Sequence, residues 1–440
     1  MKFLLLATLT WACLLSPHSA FAEENAGAKG PLASLPSPPG PHVEKIEALG
    51  DGEWLALGAP APDRKWGPAP GRAYTNKMAY APDLVGAFLQ GEGVHGATGA
   101  GPREGHFNDD VFFYDLMAHR WICLYPGTKK ESFEVKLDEQ GFLAAAGGQH
   151  PPIAIAVHGY ECLSYSPQTR EFMTLQTGSP YSRSIQARIK EMAGEDAAYG
   201  RDMGKHPYFH DVDTGRWFRR KVEGNGPRTG FTHALTWIPT LKKTVLYQRG
   251  GNLWFYDHDK AGWENVAAEG GRPTTADGRP SREGTLCYDS KRDRLYLFNR
   301  GQASLPWAYD FKTNTLTDLE AKNQVYPATN TVEQGQIMIG STSSGAHYDS
   351  VADVVVMRMR LKQGTGDPRN VRARTLGLAI YDPVNNEWSK DPVPLPEEAQ
   401  RRGAWNSFYS PELNVHVFHI AGDSRTDGEI VLYRHKRSRE

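Results

Sequence analysis

Gly250-Gly251-Asn252-Leu253-Trp254-Phe255-Tyr256-Asp257-His258-Asp259-Lys260-Ala261-Gly262-Trp263 holds the pattern that organises the whole chain. An aromatic run ends at Tyr256-Asp257, turn-forming residues follow, and Trp263 stands six positions after the Asp. A strand that stops at Asp, turns and reopens on a large apolar residue is a β-hairpin. The same spacing recurs at Asp115/Trp121, Asp211/Trp217, Asp310/Leu316 and Asp382/Trp388, with Tyr114, Tyr309 and Tyr381 directly before three of the Asp residues.

A second pattern precedes each copy: an aromatic strand end, a turn, then a β-branched or aromatic strand. It begins at Tyr80-Ala81-Pro82, Tyr165-Ser166-Pro167, Trp237-Ile238-Pro239, Tyr288-Asp289-Ser290, Tyr348-Asp349-Ser350 and Tyr409-Ser410-Pro411. Strands such as Val245-Leu246-Tyr247 and Val415-His416-Val417-Phe418 follow. Joined in order, the two patterns make a four-stranded antiparallel unit with strands a, b, c and d.

The sixth unit lacks its last strand. After Glu429-Ile430-Val431-Leu432-Tyr433-Arg434 the chain runs into a basic tail, whereas Glu53-Trp54-Leu55-Ala56-Leu57 stands unassigned ahead of the first full unit. An N-terminal strand that completes the last unit closes a ring and leaves no exposed central edge. The sequence therefore predicts an all-β fold, a six-bladed β-propeller with blades near 66–126, 150–222, 225–267, 272–321, 325–396 and 401–435 plus 53–58. A seven-bladed ring is the alternative, but its spare material, Lys129 to Gln149, reads as one inserted hairpin.

Export is the second expectation. Lys2, the apolar run Phe3 to Leu15 and the ending Ala20-Phe21-Ala22 have the three parts of a signal peptide over 1–22. The destination is periplasmic or extracellular. No later stretch approaches the roughly 18 apolar residues of a membrane span. Residues 23–43, rich in Ala, Gly, Pro and Ser, read as a flexible linker, and 44–440 as a single propeller domain. Beyond the leader only Cys123, Cys162 and Cys287 remain, an odd number that argues for buried small residues over a disulfide framework. The 50 basic and 51 acidic side chains nearly cancel, which argues against nucleic-acid partners.

The aromatic-Asp…Trp spacing, with Gly250-Gly251 ahead of Tyr256 and Trp263, resembles the kelch repeat family. That architecture includes the central domain of galactose oxidase and many secreted bacterial propellers. The paired glycines drift elsewhere, to Gly91-Glu92-Gly93, Gly301-Gln302 and Ala421-Gly422. The resemblance implies that strand a lines a central channel, and that its starting end shares a face with the b-to-c loops. It does not extend to copper-radical chemistry, because no Tyr-His dipeptide occurs in the chain. No spacing of His, Cys or carboxylates marks a metal site, and no cofactor is expected.

Arg72, Arg228, Arg282 and Arg402 follow Gly or Pro turns at the starts of strand a. Asn76, His158, Glu161, His233, Glu283 and Asn406 lie on the same strands. In a closed ring these side chains converge on one channel mouth, where guanidinium forks suit carboxylate or hydroxyl-rich ligands. The competing reading is that they satisfy one another and the strand ends. The b-to-c loops are long in unit one (Gly91 to Asp109), unit two (Gly178 to His206) and unit five (Leu361 to Arg374), as loops that build sites often are. In the second, Ile185, Ile189 and Met192 have the spacing of a short amphipathic helix.

Three functions fit. The first is an exported propeller that binds a small molecule or glycan, an acidic sugar above all, without catalysis. The second is a sugar epimerase or mutarotase with Glu161 or Glu283 as general base, resembling kelch propellers that handle acidic sugars. The third is a scaffold for a protein partner.

Overall fold

A computed structural model describes residues 29–72, 75, 77–91, 99–127, 129, 136–137, 143–144, 159–175, 205–227, 234–248, 252–273, 284–299, 306–325, 337–338, 345–362, 374–400, 404–421 and 427–437. It is all-β, with six antiparallel blades in a ring. Blade 1 comprises Ala79–Ala81, Gly86–Gln90, Val111–Asp115 and Arg120–Tyr125. Blade 2 comprises Leu163–Ser166, Glu171–Thr174, Tyr208–Asp211 and Trp217–Arg219. Blade 3 follows with Ala234–Ile238, Lys243–Gln248, Asn252–Asp257 and Gly262–Val266, and blade 4 with Gly284–Asp289, Arg294–Asn299, Trp307–Asp310 and Thr315–Asp318. Blade 5 comprises Ala346–Asp349, Val354–Lys362, Arg374–Asp382 and Glu387–Lys390. Blade 6 takes Ala404–Ser410, Val415–Ala421 and Gly428–Arg434 from the end of the chain and Glu53–Gly58 from its beginning. Between blades 1 and 2, Lys136–Leu137 pairs antiparallel with Leu143–Ala144, inside the stretch read as an inserted hairpin.

Both sequence patterns turn out to be one hairpin used twice per blade. In every a–b turn the residue five positions after the landmark aromatic is left-handed: Val85, Arg170, Lys242, Asp293, Asp353 and Asn414. The c–d turns repeat this at His119, Gly215, Ala261, Asn314 and Asn386, and the φ values across both sets run from +49° to +70°. Such a residue lets a tight turn rejoin a twisted strand pair. Where an Asp follows the aromatic, its carboxylate caps the amides at the tip, as Asp289 does for Lys291 and Arg292 and Asp382 for Val384 and Asn385. The six-residue Asp…Trp spacing sets the aromatic opposite the Trp, giving the pairs Tyr114↔Trp121, His210↔Trp217, Tyr256↔Trp263 and Tyr381↔Trp388. All these turns lie on one face of the disc, since a and c run in the same direction.

Among the described residues there is no single core. Six apolar clusters fill the gaps between neighbouring blades, one per gap. Each blade therefore buries both faces, which accounts for strands that are apolar on successive residues, such as Val111–Asp115 and Val415–Ala421. Parallel bridges from inter-blade links cover outer edges at Ala61↔Arg120, Glu269↔Thr315 and Lys322↔Glu387.

The linker expected over residues 23–43 needs correction from Gly30 onward, where the chain is a packed strap. Gly30 N–H donates to the Asp213 carbonyl of blade 2 at 2.6 Å, and Gly40 N–H to Met117 of blade 1 at 2.8 Å. Leu32 and Leu35 are buried in the cluster between those two blades. A short helix, His42–Glu47, then buries Val43 and Ile46 before the chain enters blade 6. Composition misled because two leucines suffice to anchor a Pro-rich segment when a groove already exists for them.

Candidate functional site

Strand a of each blade packs against strand a of its neighbours, so six inner strands enclose a channel. The residue just before each landmark aromatic forms a ring around it: Ala79, Ser164, Thr236, Cys287, His347 and Phe408. A cavity of about 250 Å³ occupies the end of the channel bounded by the a–b turns. Its lining includes this ring, the landmark aromatics and the turn residues Pro82, Pro167 and Pro239.

The floor of this cup is polar. Lys77 of blade 1 reaches across the channel, and its Nζ donates to the Leu286 carbonyl of blade 4 at 3.0 Å. Thr285 of blade 4 donates to Glu161 Oε2 of blade 2 at 2.6 Å and accepts from the Ala346 amide of blade 5 at 3.3 Å. Among the described residues no carboxylate lies within ion-pair distance of Lys77 Nζ. Burial, the Lys77 ammonium and His416 together hold the His347 imidazole well below its ordinary pKa, so it is neutral. Its Nε2 lies 2.8 Å from Ser407 Oγ. Burial raises the Cys287 thiol, with Lys77 opposing the shift, so that thiol stays protonated. Ser164 is 3% exposed, and its hydroxyl has no hydrogen-bond partner among the described residues.

The cup's rim is aromatic, and its hydroxyls point away into the turns. Tyr165 donates to Asp83, Tyr288 to Asp293, Tyr348 to Asp353 and Tyr409 to Asn414. Burial and nearby carboxylates raise the tyrosine pKa values, Tyr288 to about 12 and Tyr409 through Asp349. Ring surfaces, not phenol groups, are left to face an occupant.

Three of the residues singled out at the opposite mouth lie among the described ones. Arg72 is fully buried, its guanidinium paired with Asp110 at 2.7 Å and donating to the Pro70 carbonyl at 3.1 Å. Arg103 grips the same carboxylate. Asn406 accepts from the Arg72 amide and donates to the carbonyls of Arg72 and Thr75, which ties blade 6 to the entry strand of blade 1. Glu161 is the cross-bar already described. Asn76, His158, Arg228, His233, Arg282, Glu283 and Arg402 fall outside the described residues, as do Ile185, Ile189 and Met192. Lys77, Ser164 and His347 were not among the sequence candidates. Aligning the six copies on the landmark aromatic places Ser164 and His347 one residue before it and Lys77 three before it, the signal that identifies them.

The three cysteines among the described residues are free, Cys162 and Cys287 buried and Cys123 half-buried. Among the described residues no group of three His, Cys, Asp or Glu side chains is arranged to hold a metal ion, and no helix is long and apolar enough to cross a membrane. No protein-family model matches the chain, and no curated protein matches it. A solved structure titled "Crystal Structure of Mitotic Checkpoint Complex" aligns with a TM-score of 0.39 at 10% identity, covering 87% of this chain and 94% of that chain. A likeness so distant says nothing of function.

Proposed function

We propose that this propeller binds a small polar anion in the cup at the hairpin end of its channel. The observation that carries this reading is Lys77, a cation at the floor of the cavity that donates to a carbonyl and has no carboxylate within ion-pair distance among the described residues. A half-buried cation without a charged partner favours an anionic one, and a ligand carboxylate or similar group supplies it. The anionic half of the acidic-sugar expectation is retained, and sugar acids belong among the ligands to be tried. Export through the segment 1–22 is proposed on its sequence pattern, and cell fractionation with N-terminal sequencing of the mature chain tests it.

The binding test is calorimetry and thermal shift with a panel of small carboxylates, sugar acids, neutral sugars and inorganic phosphate. The expected result is saturable binding confined to anions. Saturable binding of neutral sugars alone, or of nothing in the panel, counts against the reading.

A further inference from the structure

Resting on the reading of the cup as an anion site, we propose that an anion enters it together with a proton from solvent, which His347 receives. The cup then takes up the elements of an undissociated acid, and its affinity for a permanent monoanion rises as pH falls. The charge count of the floor is the first observation. Lys77 brings one positive charge, and Glu161, which accepts from the Thr285 hydroxyl at 2.6 Å, brings one negative charge. Burial raises the Cys287 thiol most, and of the two charges Lys77 lowers it while Glu161 raises it, so both act at one place. The thiol itself stays protonated and adds no charge.

Lys77 and Glu161 thus balance, but only the cation is within reach of a ligand. Lys77 is half-buried and lines the cup, whereas Glu161 is 2% exposed and is not part of the lining. A monoanion drawn to the ammonium leaves the floor with one surplus negative charge in a partly desolvated place. A proton removes the surplus, and His347 is the base placed to hold it. Its ring lines the same cup, and its Nε2 lies 2.8 Å from Ser407 Oγ. A serine hydroxyl can donate to that nitrogen or accept from it, so the bond survives protonation of the ring. Thr285, which donates to Glu161, accepts from the amide of Ala346, the residue before His347, and so links the floor to this strand.

The groups around this ring come from blades 1, 4, 5 and 6. Burial, Lys77 of blade 1 and His416 of blade 6 oppose its protonation. Asp349 of its own strand lies 3.3 Å from His416 Nε2 and accepts from the Tyr409 hydroxyl at 3.1 Å. Ser407 of blade 6 and Cys287 of blade 4 are neutral, and the Tyr348 hydroxyl is turned to Asp353. An anion on Lys77 cancels the effect of the ammonium and adds its own attraction, so the complex holds a proton that the free protein does not. A group that gains a proton on binding tightens the complex as pH falls through the value it has there, and leaves affinity flat above it. The coupling acts through charge and needs no contact between ring and anion.

The test is calorimetry on the full-length mature chain with methanesulfonate and pyruvate, monoanions that keep their charge from about pH 8 to about pH 5. Each titration is run in two buffers of different ionisation enthalpy, which counts the protons taken up. Uptake should rise from near zero at about pH 8 to about half a proton or more at about pH 5. Affinity should tighten about two- to tenfold from about pH 7 to about pH 5. His347→Gln keeps a polar partner for Ser407, and should bind at the alkaline end yet take up no proton and lose the pH dependence. Glu161→Gln removes the opposing charge, and should tighten binding at the alkaline end about threefold or more while reducing the uptake. Imidazole nitrogen shifts of the labelled protein should show His347 gaining the proton as methanesulfonate saturates the cup. Circular dichroism checks that each variant is folded at each pH. Binding with no proton uptake at any pH, or uptake that survives His347→Gln, overturns the inference and leaves the anion site in place. If neither probe and no member of the wider panel binds, the anion-site reading itself falls and this inference with it.

Discussion

Trp54 lies directly opposite Tyr433 in the closing strand pair, with ring centroids 4.5 Å apart. It occupies the position that Trp121, Trp217, Trp263 and Trp388 occupy opposite their own partners in other blades. The sixth copy of the repeat is therefore written across the two ends of the chain. Trp54→Ala should cost about 2–3 kcal/mol in urea unfolding, less than a fully buried Trp because this one is partly exposed. A cost below 0.5 kcal/mol, on the order of a surface substitution, would mean the closing strand contributes little.

Leu32 tests the strap. It is fully buried between blades 1 and 2, so Leu32→Ala should destabilise by about 2–4 kcal/mol. A free tether would show no change in the urea midpoint.

The left-handed turn residues make opposite predictions according to what occupies them. Ala261 has φ +50°, a conformation that costs a non-glycine residue about 1–2 kcal/mol, so Ala261→Gly should stabilise by about 1 kcal/mol. Asn314 has φ +54° and accepts from the Tyr309 hydroxyl at 2.8 Å. Asn314→Ala should therefore cost about 1–2 kcal/mol. Denaturation midpoints at constant m-value read both changes.

His119 gives the fold a pH dependence. Burial and the neighbouring His42 push its imidazole down to about 4, while an unfolded His titrates near 6.5. Between those values the unfolded chain binds the extra proton, so the contribution of His119 is complete above about pH 6.5 and is lost as pH falls to about 4. His419, lowered to about 3, and His347 act in the same direction. His119→Asn keeps a side chain suited to φ +50° and to the Tyr114 hydroxyl, as Asn314 and Asn386 do in their blades. Thermal melts of that variant from pH 7 to 4 should show a shallower decline than the parent, and an unchanged slope would refute the assignment. Asp353, held low by Arg292 and Lys291 against the opposing effect of burial, loses its contribution only below the unfolded carboxylate value of about 4.

Arg72 and Asp110 separate structural from ligand-binding roles. Removing one partner of a buried pair strands the other charge, so Asp110→Ala should destabilise by about 3–5 kcal/mol. A stable variant that instead alters ligand affinity would return Arg72 to the binding site.

The ring, its six blades and the closing strand were legible because each hairpin carries its own signature. Tyr381-Asp382 through Trp388 specifies strand, cap, left-handed turn and cross-strand pair within eight residues. That the a–b and c–d patterns are the same hairpin was harder to see. Ala81, Ser166, Ile238 and Ser410 stand where the c–d copies have Asp, and only the backbone reveals their common turn.

The cup was not legible, and the reason is geometric. Arg72 looked exposed to a ligand because sequence gives the strand it precedes but not Asp110, which arrives from the far side of a long loop to neutralise it. Lys77 looked unremarkable because its opposite number, Leu286, is three blades away around the ring. Residues that meet across a channel share no local pattern. Only the copy-to-copy alignment on Tyr80, Tyr165, Trp237, Tyr288, Tyr348 and Tyr409 puts them at one depth.

The pairing of Glu53–Gly58 with Gly428–Arg434 also dictates an order of events during synthesis. A nascent chain must carry Glu53–Gly58 without a mate until Gly428–Arg434 has left the ribosome, so the seam beside Trp54 is the final joint of the ring to be made. Pulled from its two ends, the same molecule would be expected to part there first.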